Sequence, residues 1–305
     1  MKKFLAILCA LALCLMCATA MAEGESESHP KYVFMFIGDG MGNPQVTATQ
    51  YYLGSIENPD SKFPVPADLS FTKFPYLGLV TTYDSSSFCP DSASTATSMA
   101  SGKKTLSGVI NYDETLTNPY KIITEYAKEA GKKVGVITSV SVDHATPAAY
   151  YAKQPSRNDY YDIALQALTG TTVDYLAGGG FKKMNGADGQ QKSLLDVAKE
   201  NGWVIPATNE EIRSLTATND RVLATNPVLQ DSKAIHYEID RIQKEAAGED
   251  VLSLADFVRS GINVLDNDNG FFLMCEGGKI DWAGHANDAA TSIYDTIALS
   301  DAVQV

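Results

Sequence analysis

The sequence predicts an α/β fold, a three-layer sandwich in which helices cover both faces of a mainly parallel central sheet. Three observations support this prediction. Apolar runs of strand length recur along the chain, helical stretches separate them, and glycines or other turn residues mark the ends of most helical stretches. The chain has 305 residues with ordinary apolar content, so it can bury the core that such a fold needs.

Several segments have the continuous apolar character of strands buried on both faces of a sheet. They are Tyr32–Ile37, Leu77–Thr82, Val134–Ser139, Val173–Ala177 and Phe271–Cys275. The first of them predicts a central parallel strand. The helical stretches are Ile122–Ala130, Tyr160–Leu168, Leu194–Asn201 and Leu254–Leu265. Thr216–Asp231 is polar with little periodicity, and we interpret it as an excursion from the sheet.

The N-terminus has the pattern of a secretory leader. Lys2 and Lys3 form a positive n-region, and the apolar stretch Phe4–Cys17 follows. Residues 20–22 (AMA) then offer a small-x-small cleavage site. We therefore predict a signal peptide at residues 1–22. The alternative is an N-terminal helix buried in the core.

The predicted signal peptide leaves two further regions to interpret. Residues 23–31 are polar and are interpreted as a linker, and residues 32–305 as one folded region. No other segment approaches the roughly 20 apolar residues that a membrane-spanning helix needs, so no span is expected in the mature protein. We expect an exported protein, periplasmic or extracellular.

The charge balance limits the classes of partner. The formal net charge is −13, and loss of the leader's two lysines makes the mature chain more acidic. Such acidity argues against nucleic acid or an anionic membrane held by bulk charge. An anionic substrate would need local positive charge from metal ions or from a well-placed arginine.

The cysteines do not indicate a disulfide-based fold. Three of the five lie in the predicted leader, which leaves Cys89 and Cys275. One disulfide between these two is an alternative in an oxidising compartment, but isolated buried thiols are favoured.

The first candidate motif follows the first predicted strand and has the sequence IGDGMG. It does not match the dinucleotide-binding fingerprint, because Asn43 stands where the third glycine should be. Glycines on both sides of Asp39 instead let the backbone bend, so that a carboxylate points into an open site. Asp39 is therefore a candidate metal ligand, with a simple tight turn as the alternative.

The second motif, PDSASTATSMASG, predicts a helix of small residues with Ser92 in its first turn. Free backbone N–H groups and the helix dipole favour an anion there. The sequence has no Gly-x-Ser-x-Gly elbow and no nearby histidine, so a nucleophilic Ser92 would need activation by a metal ion. The alternative is that Asp91 or Ser92 only caps the helix.

The third motif, DHATP, follows the strand predicted at Val134–Ser139 and supplies His144 and Thr146. Thr146 precedes a proline and is held extended, so its hydroxyl can face a site. Arg157 follows after a helix-like stretch. Taken alone, His144 would be interpreted as a satisfied histidine and Arg157 as a surface charge.

The fourth motif, EGGKIDWAGH, brings Glu276, Asp281 and His285 within ten residues of a strand end. Asp281 and His285 are four residues apart, so one helical turn would place both side chains on one face. Aspartate and histidine with open positions suit a catalytic zinc ion, whereas the hard oxygens of Glu276 suit magnesium.

These four motifs, in this order and spread over residues 32–295, resemble those of the alkaline phosphatase family. The resemblance implies that family's fold and a site with two zinc ions and one magnesium ion. Ser92 would be the nucleophile on the second zinc and would form a phosphoserine that is then hydrolysed. Asp281 and His285 would bind the first zinc. Asp39 would bridge the second zinc and the magnesium.

The same resemblance assigns the remaining residues. Thr146 and Glu276 would complete the magnesium ligands, and Arg157 would clamp two phosphate oxygens with its planar guanidinium. The substrates would be small phosphate monoesters, and a homodimer is an expectation. His144 and Trp282 stand where other members have aspartate and lysine. His144 favours zinc over magnesium at the third metal site, and Trp282 removes a cation that would hold phosphate.

One departure from the family pattern is larger. Family members continue past this region with an Asp-His pair for the second zinc and another histidine for the first, and no matching residues occur here. We therefore expect residues 32–305 to be the N-terminal portion of a single catalytic domain, incomplete at its C-terminus, and residues 23–305 alone to be inactive. The rival classes are a related sulfatase, diesterase or phosphoglycerate mutase, and a non-catalytic metal- or phosphate-binding protein. The Cys89-Pro90 region lacks the arrangement of a sulfatase.

Overall fold

The computed structural model describes residues 30–305, so the predicted signal peptide and most of the predicted linker lie outside the described residues. The strands are β1 (Tyr32–Gly38), β2 (Lys133–Thr138), β3 (Tyr175–Gly178), β4 (Trp203–Val204), β5 (Arg221–Thr225) and β6 (Phe271–Gly277). The α-helices are α1 (Asn43–Glu57), α2 (Ser92–Ser101), α3 (Ile123–Glu129), α4 (Ala145–Ala148), α5 (Tyr160–Thr169), α6 (Leu194–Glu200), α7 (Asn209–Arg213), α8 (Glu238–Ala246), α9 (Leu254–Leu265), α10 (Lys279–His285) and α11 (Ala289–Gln304). Short 3₁₀ helices cover Ser70–Lys73 and Asp231–Lys233.

The six strands form one sheet in the order β1-β6-β2-β3-β5-β4, and every neighbouring pair is parallel. This confirms the predicted α/β class with a parallel sheet. The register places Ile37 of β1 and Thr138 of β2 on either side of Glu276 in β6. Because parallel strands end at the same edge of a sheet, the turns after β1, β6 and β2 meet there.

Two hydrophobic clusters lie on opposite faces of this sheet, because side chains alternate along each strand. In β6, Phe272 and Met274 belong to one cluster, whereas Leu273 and Cys275 belong to the other. Residues of α2, α3, α5 and α6 complete the first cluster, and residues of α7, α9 and α11 complete the second. Helices therefore cover both faces, which gives the three predicted layers.

The strand predicted at Leu77–Thr82 is wrong. That segment has no regular secondary structure and pairs with no strand of the described chain, and Leu77 and Leu79 are 95% and 98% exposed. An apolar, β-favouring sequence becomes a strand only where another strand edge accepts its hydrogen bonds. In the described part of the chain this segment lies along the surface.

Two other expectations about the sheet also need correction. β1 was expected to be central and buried on both faces, but it is an edge strand with Tyr32 and Phe34 about 40% exposed. Thr216–Asp231 was expected to leave the sheet, yet it contains β5, whose central Val222, Leu223 and Ala224 are buried between β3 and β4. Only three consecutive apolar residues mark β5, which is too short a run for a periodicity argument.

The helices were predicted more accurately, and α9 has the predicted limits. Among the described residues, no helix is both long enough and apolar enough to cross a membrane. Both described cysteines are free thiols, with Cys275 in the core and Cys89 exposed. The alternative Cys89–Cys275 disulfide is therefore not formed, and Cys89 is not buried as expected.

Candidate active site

A cavity of about 770 Å³ opens where β1, β6 and β2 end. Its lining includes eight of the candidate residues, namely Asp39, Ser92, His144, Thr146, Arg157, Asp281, Trp282 and His285. The ninth, Glu276, is fully buried at the end of β6. Residues spread over almost the whole described chain are thus brought together by the parallel topology.

Ser92 is the first residue of α2. Asp91 caps this helix, and its side chain accepts a hydrogen bond of 3.0 Å from the backbone N of Ser94. The small residues behind Ser92 let α2 pack closely, since Ala93 and Ala96 are fully buried. The Ser92 hydroxyl donates to Oδ2 of Asp39 at 3.0 Å. The candidate nucleophile therefore lies at a helix N-terminus, next to a carboxylate.

The turn that carries Asp39 depends on Gly40. Gly40 has φ +64°, and a Cβ there would lie 2.6 Å from Oδ1 of Asp281. Glycine thus permits both the left-handed turn and the close approach of the Asp281 carboxylate. Burial, together with the negative charge of Asp281, raises the pKa of Asp39 to about 6. The two carboxylates repel each other, so a cation bound between them would lower the pKa of Asp39.

Arg157 is held in place by the residue that caps α2. Its guanidinium Nη1 donates to Oδ2 of Asp91 at 2.7 Å, while Oδ1 of Asp91 accepts from the backbone N of Gly108 at 3.0 Å. Burial would raise the pKa of Asp91, but the hydrogen bonds from Gly108, Ser94 and Arg157 outweigh it and lower that pKa. Asp91 was considered only as a helix cap from the sequence. Its pairing with an arginine 66 residues away has no local sequence signal.

Glu276 lies beneath the cavity with an incomplete set of hydrogen bonds. Oε2 accepts from the hydroxyl of Thr138 at 2.5 Å, and Oε1 has no hydrogen-bond partner among the described residues. Burial raises the pKa of Glu276 to about 8, the charge of Asp39 adds to the rise, and the hydroxyls of Thr138 and Thr146 oppose it. Thr138 was not predicted, although the alignment of β2 with β6 places it beside Glu276.

His144 is buried beside the cavity as a neutral imidazole. Burial, together with the positive charge of Arg157, lowers the pKa of His144 to about 3. Its Nδ1 has no hydrogen-bond partner in the described part of the chain. The ring lies edge-on to Trp282, with ring centroids 6.0 Å apart. A neutral imidazole with an unused nitrogen is available as a metal ligand.

α10 carries the last candidates. Nε2 of His285 lies 3.5 Å from Oδ1 of Asp281, so one helical turn does place both side chains on one face. The two side chains differ in exposure, because that of His285 is 80% exposed, whereas that of Asp281 is 26% exposed and resembles Arg157 at 23%. This wall of the cavity is therefore open to solvent.

The donor atoms suit the metal ions that the sequence implies, but they are not gathered into a tight cluster. Within residues 30–305, no three His, Cys, Asp or Glu side chains converge closely enough to hold an ion. The donors lie instead in smaller groups, such as Asp39 with Ser92 and Asp281 with His285. The unpartnered Oε1 of Glu276 and the raised carboxylate pKa values are what a missing cation would leave behind. The residues present thus fit zinc and magnesium in chemistry.

Comparisons with known proteins agree on one family. The profile described as alkaline phosphatase matches residues 30–305. Human tissue-nonspecific alkaline phosphatase is 30% identical over 317 residues, which cover 90% of this chain and 59% of the human protein. Alkaline phosphatase 4 of Bacillus subtilis is 30% identical over 284 residues, which cover 90% of this chain and 57% of that protein. The chain spans about three fifths of the length of these curated relatives.

Solved structures agree. The cold-active alkaline phosphatase of a psychrophilic Shewanella superposes with a TM-score of 0.75 at 28% identity, covering 90% of this chain and 63% of that one. The alkaline phosphatase of the Antarctic bacterium TAB5 gives a TM-score of 0.68 at 30% identity. The match covers 90% of this chain and 73% of the TAB5 protein. A histidine-to-aspartate variant of the TAB5 protein, with magnesium bound in its M3 site, gives a TM-score of 0.69 at 29% identity. The match covers 90% of this chain and 72% of the variant.

Proposed function

This chain belongs to the alkaline phosphatase family, and on that premise we propose that it hydrolyses phosphate monoesters through a phosphoserine intermediate on Ser92. One observation carries the proposal. The Ser92 hydroxyl lies at the N-terminus of α2, 3.0 Å from the half-buried carboxylate of Asp39, with Arg157 fixed beside it by Asp91. A phosphate that accepts from Arg157 would then have its phosphorus within reach of Ser92.

In the first step, Oγ of Ser92 attacks phosphorus in line with the ester oxygen. The O–P bond to Ser92 forms as the bond to the leaving group breaks, and the departing alkoxide takes a proton from water to leave as the alcohol. The proton on Oγ has Oδ2 of Asp39 as a nearby acceptor. Arg157 binds two non-bridging oxygens and holds the phosphorus in place. Water then cleaves the phosphoserine, which releases inorganic phosphate and regenerates the hydroxyl.

We propose that Asp39, Ser92, Asp281 and His285 would hold two zinc ions, and that Asp39, Thr146 and Glu276 would hold one magnesium ion. When bound, these ions would supply positive charge that lowers the pKa of the attacking hydroxyl and neutralises the phosphate. His144 lies close to the third site, so that site would take magnesium or zinc. The magnesium named in the M3 site of the TAB5 variant, where a histidine is replaced, supports a histidine-dependent third site.

The remaining expectations are proposals of the same kind. The substrates would be small phosphate monoesters, and the acidic chain would not hold nucleic acid by bulk charge. The protein would be exported to the periplasm or the cell exterior, and it would form a homodimer. The alternative is a non-catalytic protein that binds metal or phosphate, which the open α10 wall of the cavity favours.

Phosphoenzyme trapping on p-nitrophenyl phosphate tests the proposal. We expect phosphate on Ser92 when zinc and magnesium are present and none after chelation. Ser92→Ala should abolish the phosphoenzyme, because Ser92 is the one hydroxyl among residues 30–305 with a recorded hydrogen bond to Asp39. The matched control is Ser98→Ala on the same helix, whose hydroxyl donates to Ser94 O and lies outside the cavity lining.

Two outcomes would overturn the proposal. One is phosphate mapped to a residue other than Ser92. The other is turnover by protein that elemental analysis finds to be free of metal. Zinc binding without any phosphoenzyme would instead favour the non-catalytic alternative.

A further inference from the structure

Lys279, the first residue of α10, has a side chain that is fully buried. Lysine is among the residues least often buried completely, because its ammonium loses its hydration. The sequence does not single it out, since it looks like the linking residue between two glycines and Ile280. α10 is the helix that carries Asp281, Trp282 and His285.

The buried ammonium is held by the segment just before α8. Nζ donates to the backbone oxygen of Ile235 at 2.8 Å and lies 3.3 Å from the ring centroid of Tyr237. A carboxylate oxygen of Asp231 lies 3.9 Å from Nζ. A cation over an aromatic face is attracted by the ring quadrupole, and more strongly where water is excluded.

The same end of α10 is also fixed to the central sheet. The backbone N of Lys279 donates to Oγ of Ser139, and the backbone N of Ile235 donates to the carbonyl oxygen of Ser139. Ser139 immediately follows β2. Hydrogen bonds thus join three segments to one another: the start of α10 at Lys279, the segment before α8 at Ile235, and the end of β2 at Ser139.

A small change in the orientation of α10 would displace the side chains that this helix presents to the cavity. Successive residues of a helix differ by 100° in direction, so a small rotation at Lys279 would redirect Asp281. Space around Asp281 is limited, since its Oδ1 lies only 2.6 Å from where a Cβ of Gly40 would be. Contacts at the start of α10 therefore bear on where the Asp281 carboxylate lies.

We propose that Lys279 is a positioning residue that, through Ile235 and Tyr237, sets the placement of α10 and hence the direction of the Asp281 carboxylate. This inference rests on the proposed function only in that Asp281 is taken as a zinc ligand. Lys279 touches no substrate in this role and acts through α10.

Trp282 provides a direct readout, because it lies on α10 with its ring 5.8 Å from Nζ of Lys279. The chain has two tryptophans, so Trp203→Phe leaves Trp282 as the sole reporter. In that background Lys279→Met keeps the length of the apolar stem and removes the ammonium. We expect the metal-free variant to shift the Trp282 emission to longer wavelength and to increase its quenching by acrylamide, with unchanged far-UV circular dichroism.

Zinc affinity gives the second readout, measured with Zn²⁺ by competition against a chromophoric chelator. We expect the apparent Kd to rise about tenfold in Lys279→Met, which corresponds to 1.4 kcal/mol. Lys279→Arg should recover most of the affinity, since a guanidinium can also donate to the Ile235 carbonyl and stack on Tyr237. Lys104→Met is the matched control, because Lys104 donates to a backbone oxygen and lies over a tyrosine ring, but far along the chain from α10.

The inference is overturned if Lys279→Met lowers the unfolding free energy while Trp282 emission and zinc affinity stay as in the parent. Should that variant not fold, Tyr237→Leu removes only the aromatic face from a half-buried position and must then produce the Trp282 shift. Because the fluorescence is read without metal or substrate, a moved Trp282 with no phosphoenzyme in the parent would reject the proposed function and leave this inference standing.

Discussion

The cavity has an α2 wall, formed by Asp91, Ser92 and Arg157, and an α10 wall, formed by Asp281, Trp282 and His285. The two walls differ in how their side chains are held. On the α2 wall, Asp91 receives hydrogen bonds from α2, from Gly108 and from Arg157. On the α10 wall, the described contact of His285 is a 3.5 Å approach to Asp281, four residues earlier on the same helix. Groups on the first wall are fixed by several segments of the chain, and groups on the second depend on where one helix lies.

This difference separates the two tasks of the proposed reaction. The α2 wall positions the nucleophile and the phosphate, and its geometry is complete within the described residues. The α10 wall would supply metal ligands, and its His285 side chain is open to solvent. We therefore expect substitutions on the α2 wall to weaken either phosphate binding or the folded state strongly, and substitutions on the α10 wall to change metal binding with little effect on stability.

Arg157→Ala should give the largest effect. Loss of a charged hydrogen-bonding group typically costs about 1.5–3 kcal/mol, so inorganic phosphate should bind about 10- to 150-fold more weakly. Folding should change little, because Asp91 keeps its hydrogen bonds from Ser94 and Gly108. Phosphate inhibition of the metal-loaded protein measures the effect.

Arg213→Ala is the control for Arg157→Ala. It removes an arginine paired with Asp250 at 2.6 Å outside the cavity, and it should leave phosphate affinity unchanged. Equal phosphate inhibition in Arg157→Ala and in the parent protein would contradict the clamp and would remove the main functional difference between the two walls.

Asp84→Asn tests how firmly α2 is held. Asp84 is buried and accepts from Ser94 on α2 and from Ser107 on the following loop. Burial would raise the pKa of Asp84, but hydrogen bonds from Ser107, Ser94 and Ser86 outweigh it and lower the pKa to about 2. Relative to the ordinary pKa just below 4, this corresponds to about 2 to 3 kcal/mol of stability at neutral pH. We expect Asp84→Asn to lose about 2 kcal/mol.

The pH dependence of that loss has a definite sign. A carboxylate with a lowered pKa stabilises the folded state above its unfolded pKa, and this contribution disappears as pH falls through its folded pKa. The difference between parent and Asp84→Asn should therefore be constant above about pH 5 and smaller at pH 3, as measured by urea unfolding. Asp113→Asn, in an exposed loop, is the control and should cost less. A difference that grows on acidification would disprove the role of Asp84.

The sequence predicted the elements that carry their signal locally. The parallel sheet, the limits of α9 and the helix that begins at Ser92 follow from apolar runs, glycines and caps, which act over a few residues. Leu77–Thr82 has the same local signal as a strand, but strand formation needs a partner edge, and none pairs with it in the described chain. β5 shows the reverse case, because the sheet pairs a segment whose own signal is weak.

The candidate site shows the same limit. Motifs identified Asp39, Ser92 and Asp281, and the cavity contains all three. The contacts that support the site were not predicted, because Asp91, expected only as a helix cap, meets Arg157, and Thr138 meets Glu276, only after the chain has folded. Lys279 was missed for another reason, since a buried lysine looks like a surface lysine until its surroundings are known.

His285→Ala should have the smallest effect on stability and makes the comparison sharpest. Its side chain is 80% exposed, so its removal buries nothing and leaves no cavity. The unfolding free energy should stay within about 0.5 kcal/mol of the parent value. His144→Ala, on the buried side, empties a packed position beside Trp282 and should cost about 1 kcal/mol or more. Urea unfolding of both metal-free variants gives the two numbers.

The same two variants separate stability from metal binding. His285→Ala should weaken Zn²⁺ binding in chelator competition, because it removes an imidazole ligand, although folding hardly changes. Had the α10 wall been fixed as firmly as the α2 wall, the loss of His285 would disturb neighbouring contacts and appear in the unfolding curve. If His285→Ala destabilises the protein as much as His144→Ala at its buried position, the α10 wall is held more firmly than proposed, and the contrast between the two walls would have to be abandoned.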